Sequence, residues 1–418
     1  MRITKESMYL IEKICTNIKL HPLQLTSHTY DVIFHLVNQI IQADHTLANI
    51  GTKYVYNINT IHRTSTSTST SIAKVPKPNV FKDTDFPAEI IDYINRDMKL
   101  HIEYSFQMNG MDVFIHFIVD EPSINIDEFN QYVYLIMMWL IIIKTYATDV
   151  VKANTLYLYF YFTPLVKQLP KVGETIDKIH VNTGMTFIDN STPMEIVIFR
   201  KEEWFKVFLH ETMHSFNLDF SDTYSPDASN KIRTMIGLQE YQSDVELFEA
   251  YTEVWANIIN ALFCSFLYTS NKKKDDMIKN WAEIMNAEIH FSIIQTIKIL
   301  KHMKIHYRDL CDPQVKLLNY KENTPVLSYY IIKSILLYNF QEFFYWTNSH
   351  SDNLLKIKQD VHTQIQLCDF IHKYFTNPPF LKKIAELERM CSNPANFQCS
   401  SYNTYLFTSL RMSMIQFE

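Results

Sequence analysis

The sequence contains no closely spaced pair of cysteines and no excess of positive charge. Its net charge is -6 over 418 residues, so composition gives no electrostatic reason to expect nucleic acid or an anionic membrane as a partner. Without CxxC or another close ligand spacing, the cysteines predict reduced thiols in a cytoplasmic compartment and argue against a disulfide framework. The six cysteines are Cys15, Cys264, Cys311, Cys368, Cys391 and Cys399.

Long hydrophobic runs are also missing. The most apolar stretch, residues 132–143, is too short to cross a bilayer and predicts a buried helix, so no membrane partner is expected. Arg2, Lys5 and Glu6 precede any apolar run, and we therefore expect no secretory signal. Glycine is scarce, with only five residues, whereas 47% of the residues are hydrophobic. The chain is therefore apolar enough to form a sizeable core.

Composition and pattern divide the chain into three predicted regions. Residues 1–80 form a helical region that ends in a Ser/Thr-rich loop at 64–71. Residues 81–200 form an α+β region, in which Asn109-Gly110 separates two alternating runs and predicts a β-hairpin. Residues 201–418 are predicted to be mostly helical. The expected fold class is α+β, with a small mixed sheet ahead of a helical C-terminal half.

The most specific motif is His210-Glu211-Thr212-Met213-His214, an HExxH sequence. Two histidines four apart on a helix project from one face, so they can bind one zinc ion, and Glu211 can then reach a metal-bound water. The segment 201–216 contains no Gly or Pro, and its apolar residues recur at helical spacing on the side opposite the two histidines. The histidines are therefore predicted to face solvent or a cleft.

A zinc ion bound by two histidines still needs a third protein ligand and an open position for water. The metzincin pattern HExxHxxGxxH is excluded, because this chain has Asn217 and Phe220 where that pattern needs Gly and His. A later predicted helix offers Glu249 and Glu253, which are four apart and share a face. Alone, these carboxylates would predict a solvated stripe. Together with the upstream motif, they are the most economical source of the third ligand. The acidic loop between the two helices, residues 219–227, is predicted to be a solvated connection.

This arrangement is similar to the gluzincin zinc metallopeptidases, in which HExxH on one helix is completed by a Glu on a later helix. The resemblance implies a zincin-like fold with Zn²⁺ as cofactor. It implies Glu249 as the third ligand and Glu253 as the carboxylate that fixes the tautomer of His210. No NExxxD signature surrounds Glu249, so Glu253 stays open as the alternative ligand. The string 200–221 also resembles uncharacterised zincin-like proteins of large DNA viruses, which implies a viral origin and adds association with the virion as the alternative to a cytoplasmic location.

The resemblance implies hydrolysis of a peptide or protein substrate, with Glu211 as the general base. The oxyanion would need a further donor, for which Tyr241 and Tyr330, with its neighbour Tyr329, are the candidates. In such a peptidase an edge strand can pair with an extended substrate. The extended pattern at 179–184 is predicted to end in a turn at Gly184. The sequence leaves open whether 186–188 or 195–199 forms the edge strand.

Two other interpretations compete with a zinc endopeptidase. The first is a catalytically silent zincin-fold protein, in which the metal has a structural or partner-binding role. Glu211 argues against it, because a purely structural site needs no general base and normally closes with four protein ligands. The second is a helical interaction protein with a coincidental HExxH motif, which predicts no zinc at all. Substrate specificity and oligomeric state are not predicted by the sequence.

Overall fold

The structure is a computed structural model, and its sheet and helices explain how the candidate site is positioned. The Ser/Thr-rich loop predicted at 64–71 lies outside the part of the chain that the structure describes. The described residues are 1–51, 53–61, 74–147, 154–187, 193–223, 225–238, 244–312, 314–392 and 405–418.

The predicted α+β class is confirmed: one mixed sheet precedes a helical C-terminal half. The strands are β1 Val55–Thr60, β2 Leu100–Met108, β3 Met111–Val119, β4 Thr155–Phe162, β5 Gly184–Phe187 and β6 Met194–Ile198. The helices of the first half and of the site are α1 Lys5–Asn17, α2 Ser27–Ile50, α3 Ala88–Asp97, α4 Ile126–Tyr146, α5 Lys178–Val181, α6 Trp204–Ser215, α7 Pro226–Met235 and α8 Leu247–Tyr268. Those that follow are α9 Lys274–His302, α10 Tyr307–Leu310, α11 Lys333–Tyr338, α12 Phe340–His350, α13 Val361–Phe375, α14 Pro378–Ser392 and α15 Tyr405–Thr408. A 3-10 turn covers Asp83–Asp85, and a π-helix covers Leu327–Ile332.

The sheet has the strand order β1-β2-β3-β4-β6-β5. The hairpin predicted around Asn109-Gly110 is confirmed, since β2 and β3 pair antiparallel and both turn residues have positive φ. Strands β3, β4 and β6 are parallel, with α4 as the crossover between β3 and β4. Strand β5 pairs antiparallel with β6 at the sheet's edge. The sequence did not decide which segment forms the edge strand, and in the structure it is β5, Gly184–Phe187.

The extended structure and turn predicted at 179–184 are wrong. Residues 178–181 form the short helix α5, because the Asp177 side chain accepts a hydrogen bond from the Lys178 amide and His180 Nδ1 accepts one from the Asp177 amide. Gly184 begins β5. A Cβ atom there would lie 2.8 Å from side chains of both Ile198 and Val207, so glycine allows the strand to approach α6 closely.

Helices cover both faces of the sheet. On one face α4 and α6 pack into the main hydrophobic core, where Trp139 Nε1 donates to Thr212 Oγ1 at 2.7 Å. On the other face Phe86 and residues of α3 pack against the rings of Tyr161 and Phe199. The main core draws on residues from Leu10 to Ile415, and thus on all three regions predicted from the sequence. The boundaries of those regions stay predictions.

Helix α4 is long and apolar enough to cross a membrane by length and composition alone. Most of its apolar window, 61%, is buried inside the protein. Its buried side chains include Trp139 and Met138, neither of which has any exposed area. Packing against the sheet and α6 therefore accounts for its apolar composition.

The segment that follows α15 runs through the protein interior. Residues 409–416 are buried, and their backbone is bound by charged side chains that are themselves buried. Glu203 accepts hydrogen bonds from the amides of Met412 and Ser413, and Glu288 accepts one from Met414. Glu203 also forms an ion pair with Lys167 at 2.8 Å. Glu203 is the N-cap residue of α6 and has a left-handed backbone, so this segment holds the start of the HExxH helix in place.

The substitution Glu203→Gln should destabilise the protein by about 3–5 kcal/mol, because it leaves the buried Lys167 ammonium without a counter-charge. Urea or thermal unfolding measures the change. The matched control is Glu12→Gln on α1, whose carboxylate is exposed, and which should change stability by about 0.5 kcal/mol or less. Equal stability of the two variants would contradict the supporting role of Glu203.

Two histidines contact each other on the sheet face that α3 partly covers. His101 Nε2 on β2 lies 2.9 Å from His116 Nδ1 on β3, and the His116 ring stacks on Tyr159 at 4.8 Å between centroids. Burial lowers the pKa of His101 to about 4, and burial together with the charge of His101 lowers the pKa of His116 to about 4. The folded protein therefore favours two neutral rings.

Because an unfolded histidine has a pKa near 6.5, the unfolded chain binds more protons than the folded chain between pH 4 and 6.5. The stability contributed by neutral His116 is complete above pH 6.5 and is lost as the pH falls towards 4. His116→Gln should therefore reduce the loss of unfolding free energy between pH 7 and pH 5 by about 1–2 kcal/mol. Chemical denaturation at the two pH values tests this. The matched control is His362→Gln, which removes an exposed histidine. An equal change of slope in both variants would contradict the role of burial at His116.

Candidate metal centre

The HExxH motif lies on α6, and the predicted helix at 201–216 is confirmed. Every residue from Trp204 to His214 is buried, because the sheet and α4 cover one side of the helix and α8 covers the other. His210 and His214 are each only 5% exposed. The face opposite the apolar stripe therefore meets α8 inside the protein.

The two histidines meet Glu249 of α8. His210 Nε2 lies 3.0 Å from His214 Nε2 and 3.0 Å from Glu249 Oε2, and His214 Nε2 lies 3.5 Å from the same oxygen. One ligand atom from each residue falls within 4.8 Å of the other two. Two helices separated by more than thirty residues thus bring three potential ligands to one point.

The other nitrogen of each histidine faces a second carboxylate. Glu253 Oε1 lies 3.1 Å from His210 Nδ1, and Asp219 Oδ2 contacts His214 Nδ1. A carboxylate at Nδ1 favours the tautomer with its proton on that nitrogen, which leaves the Nε2 lone pair available to a cation. Both histidines are therefore oriented in the way that metal-binding histidines are.

Asp219 was not recognised in the sequence, and the solvated loop predicted at 219–227 is wrong in part, because Asp219, Phe220 and Ser225 are buried and Pro226 begins α7. Asp219 has no exposed area. It accepts hydrogen bonds from the amide and hydroxyl of Ser221 at 3.0 and 2.7 Å and from Thr252 Oγ1 at 3.1 Å. Asn217, two residues after the end of α6, has a positive φ, and this sharp turn brings the Asp219 carboxylate back to His214. An acidic residue five positions after the second histidine is the signal that could have identified it.

Glu253 is held by two buried lysines. Lys206 Nζ, one turn before His210 on α6, donates to Glu253 Oε1 at 2.5 Å, and Lys333 Nζ lies 4.0 Å from Glu253 Oε2. Burial opposes ionisation of Glu253, but Lys206 and His210 outweigh burial and hold its pKa well below the usual range. Glu253 is therefore an anion that is already paired, which favours Glu249 over Glu253 as the group that would face a metal.

The residues present fit a metal ion. Glu249 Oε2 is buried and has no hydrogen-bond partner in the described structure, although two imidazole nitrogens lie within 3.5 Å of it. The histidine charges lower the pKa of Glu249 to about 2 against the opposing effect of burial. The group His210, His214 and Glu249 can thus hold a metal ion, and its two imidazoles and one carboxylate suit a divalent transition metal.

The side chain of Glu211 extends from α6 towards the edge strand β5. A Cβ atom added to Gly184 would be 3.0 Å from Glu211 Oε1, so the backbone of β5 passes beside this carboxyl group. Burial raises the pKa of Glu211 to about 7, while the charges of His210 and His214 lower it. A carboxyl group with a pKa near neutrality can both accept and donate a proton.

Of the predicted tyrosines, Tyr330 does not join the site. It is fully buried, and its hydroxyl donates to the Leu410 carbonyl at 2.6 Å. Its neighbour Tyr329 does face the metal centre, with its ring edge-on to His210 at 6.3 Å between centroids. Burial and the charges of Glu249 and Glu211 raise the pKa of Tyr329 well above its usual value. Both residues lie in the π-helix, a form that is often found at functional sites. Tyr241 lies outside the described residues.

Comparisons of the chain with protein-family models, with curated proteins and with solved structures found no match. Function is therefore inferred from the geometry of the site itself.

Substitution of a predicted ligand should weaken metal binding more than substitution of the carboxylate that orients that ligand. His214→Ala should abolish stoichiometric binding of Zn²⁺, because two of the three ligands are too few to hold the ion tightly. Asp219→Asn should weaken binding by about 10- to 100-fold, because it removes the negative charge that orients His214. Isothermal titration calorimetry with Zn²⁺ measures both effects, and circular dichroism checks folding. The control is His362→Gln, which should bind Zn²⁺ as the wild type does. If the His214→Ala variant binds Zn²⁺ as fully as the wild type, the metal must bind at another site.

Proposed function

We propose that this protein is a zinc-dependent endopeptidase of gluzincin type with a zincin-like fold. The observation that carries the proposal is the approach of His210, His214 and Glu249 to within 4.8 Å of one another. Two further features support it. Glu253 lies behind His210 as in the gluzincin pattern, and a mixed sheet with an antiparallel edge strand precedes the HExxH helix. In this proposal His210, His214 and Glu249 hold the zinc ion.

When bound, zinc acts as a Lewis acid that polarises a substrate carbonyl and lowers the pKa of water. Glu211 accepts the proton of the attacking water and later donates it to the leaving amine. The raised pKa of Glu211, near 7, suits both transfers at neutral pH. Glu253 and Asp219 keep the two imidazoles in one tautomer and orientation throughout the reaction.

Strand β5 binds the substrate backbone in this proposal. In the described structure its inner edge pairs with β6, and no other strand pairs with its outer edge. An extended peptide can therefore add to the sheet there by main-chain hydrogen bonds. Gly184 brings this strand beside Glu211, so a peptide on β5 would pass close to the general base.

Tyr329 is the best candidate for the donor that stabilises the oxyanion, in place of the Tyr330 expected from the sequence. Its ring lies against His210, and the carboxylates of Glu211 and Glu249 are close enough to raise its pKa. A phenol with a raised pKa stays protonated at neutral pH and can donate a hydrogen bond.

The alternative is a silent zincin-fold protein that keeps its metal for structure or partner binding. Glu211 again separates the two functions. A structural site gains nothing from a buried carboxyl group beside the ligands, and burying it without a counter-charge is unfavourable. In the described residues the potential ligands number three, which matches the open coordination of catalytic zinc.

Glu211→Gln distinguishes these functions. The variant should bind Zn²⁺ with wild-type stoichiometry but hydrolyse peptides at least about 100-fold more slowly, because the amide cannot take up a proton. Hydrolysis of a mixed peptide library, followed by mass spectrometry, measures the rate. Glu12→Gln, with its exposed carboxylate, is the control and should cleave normally. Full activity of the Glu211→Gln variant would show that Glu211 is not the general base. A wild-type protein that binds zinc but cleaves nothing would favour the silent alternative.

A further inference from the structure

The two faces of strand β5 meet different surroundings. Gly184 and Thr186 face α6: a Cβ on Gly184 would contact Val207, and Thr186 Oγ1 lies 2.5 Å from Ser215 Oγ. Because side chains alternate along a strand, Met185 and Phe187 lie on the opposite face. Both line a cavity of about 730 Å³ between β5, α5 and the start of α3. We call it the β5 cavity.

The β5 cavity combines apolar walls with an acidic rim. Its walls include Phe81, Phe86 and Ile179 beside the two side chains of β5. Its charged lining residues are Asp85, Glu89 and Asp177 against the single Lys178, which leaves two negative charges in excess. No salt bridge within the described ranges engages any of the three carboxylates. Asp85 and Asp177 do accept backbone hydrogen bonds, from the Lys82 and Lys178 amides, but these donors are neutral. An apolar cavity whose acidic rim is not neutralised by salt bridges is complementary to a long side chain that ends in a cation.

Strand β5 itself joins the β5 cavity to the candidate metal centre. A Cβ on Gly184 would lie 3.0 Å from Glu211 Oε1, and the next residue, Met185, lines the cavity. Strand β5 therefore passes Glu211 on one face and forms a cavity wall on the other, within a single four-residue element.

We propose that the β5 cavity is a specificity pocket for an arginine or lysine side chain of a peptide bound along β5. This inference rests on the proposed peptidase function. In antiparallel pairing, the peptide residue opposite Gly184 shares its face and points towards α6, so the residues on either side of it point into the cavity. An Asp or Glu at those positions would meet the acidic rim and be repelled.

Peptide binding to the zinc-loaded Glu211→Gln protein tests the pocket without cleavage. The probes are fluorescein-labelled peptides of one constant ten-residue extended sequence, in which Arg, norleucine or Glu is placed at each position in turn. Fluorescence anisotropy should show Arg binding about tenfold more tightly than norleucine at one position, with Glu weakest, as two or three partly exposed charge contacts would give. This preference should shrink as the salt concentration rises.

Substitutions in the cavity identify where the preference arises. Asp85→Asn combined with Glu89→Gln should remove most of the Arg preference while leaving norleucine binding unchanged. The matched control is Asp92→Asn, which removes a charge from the exposed side of α3 outside the cavity. Ala88→Trp adds bulk at an exposed lining position without changing charge, and it should weaken both Arg and norleucine peptides. An Arg preference that these changes leave intact, or no preference at all, overturns the pocket.

The experiments can refute the specificity pocket and the peptidase function independently of each other. If wild-type protein cleaves the peptides but shows no dependence on Asp85 and Glu89, the pocket is wrong and the peptidase proposal stands. If Arg-selective binding depends on these carboxylates but the wild type cleaves nothing, the pocket stands as a peptide-binding site and the peptidase proposal fails. If no peptide binds at all, the pocket is overturned.

Discussion

The candidate site depends on how charge is balanced in an interior that excludes water. Two buried carboxylates, Asp219 and Glu253, and the partly buried Glu249 lie around two imidazoles, and a carboxylate removed from water is unfavourable unless a partner compensates it. Glu253 has Lys206 and His210, and Asp219 has His214 and Ser221. In the described structure the only ion pairs of the Glu249 carboxylate are with the imidazole nitrogens of the two histidines. It is the carboxylate whose charge balance a cation would complete.

The residues that hold the two ligand-bearing helices in position come from distant parts of the chain. The ligands come from α6 and α8, so the relative position of these helices decides whether three atoms meet. Glu203 fixes the start of α6 by binding the segment after α15, and Asp219 fixes its end by binding His214. The same segment accepts a hydrogen bond from Lys333 at the Met412 carbonyl, and Lys333 in turn approaches Glu253. Residues that never approach a metal therefore help to set its ligand geometry.

Strand β5 connects the proposed chemistry to the proposed specificity. Its closeness to α6 requires Gly184, because any larger residue would meet side chains of the neighbouring strand and helix. Its position at the sheet's edge leaves main-chain groups for an extended peptide. The alternation of a strand then separates the face beside Glu211 from the face that forms the β5 cavity. One short element can thus align a backbone and select a side chain.

The sequence by itself determined the features that a few neighbouring residues encode: the hairpin at Asn109-Gly110, the helix that carries HExxH, and the α+β order of the chain. These signals are local, because turn chemistry and helical spacing act over four or five residues. Only the tertiary structure decided that Asp219 is buried against His214, and that Tyr329 and not Tyr330 faces His210. Adjacent residues on a helix point in different directions, so which of them reaches a site depends on how helices distant in sequence pack together.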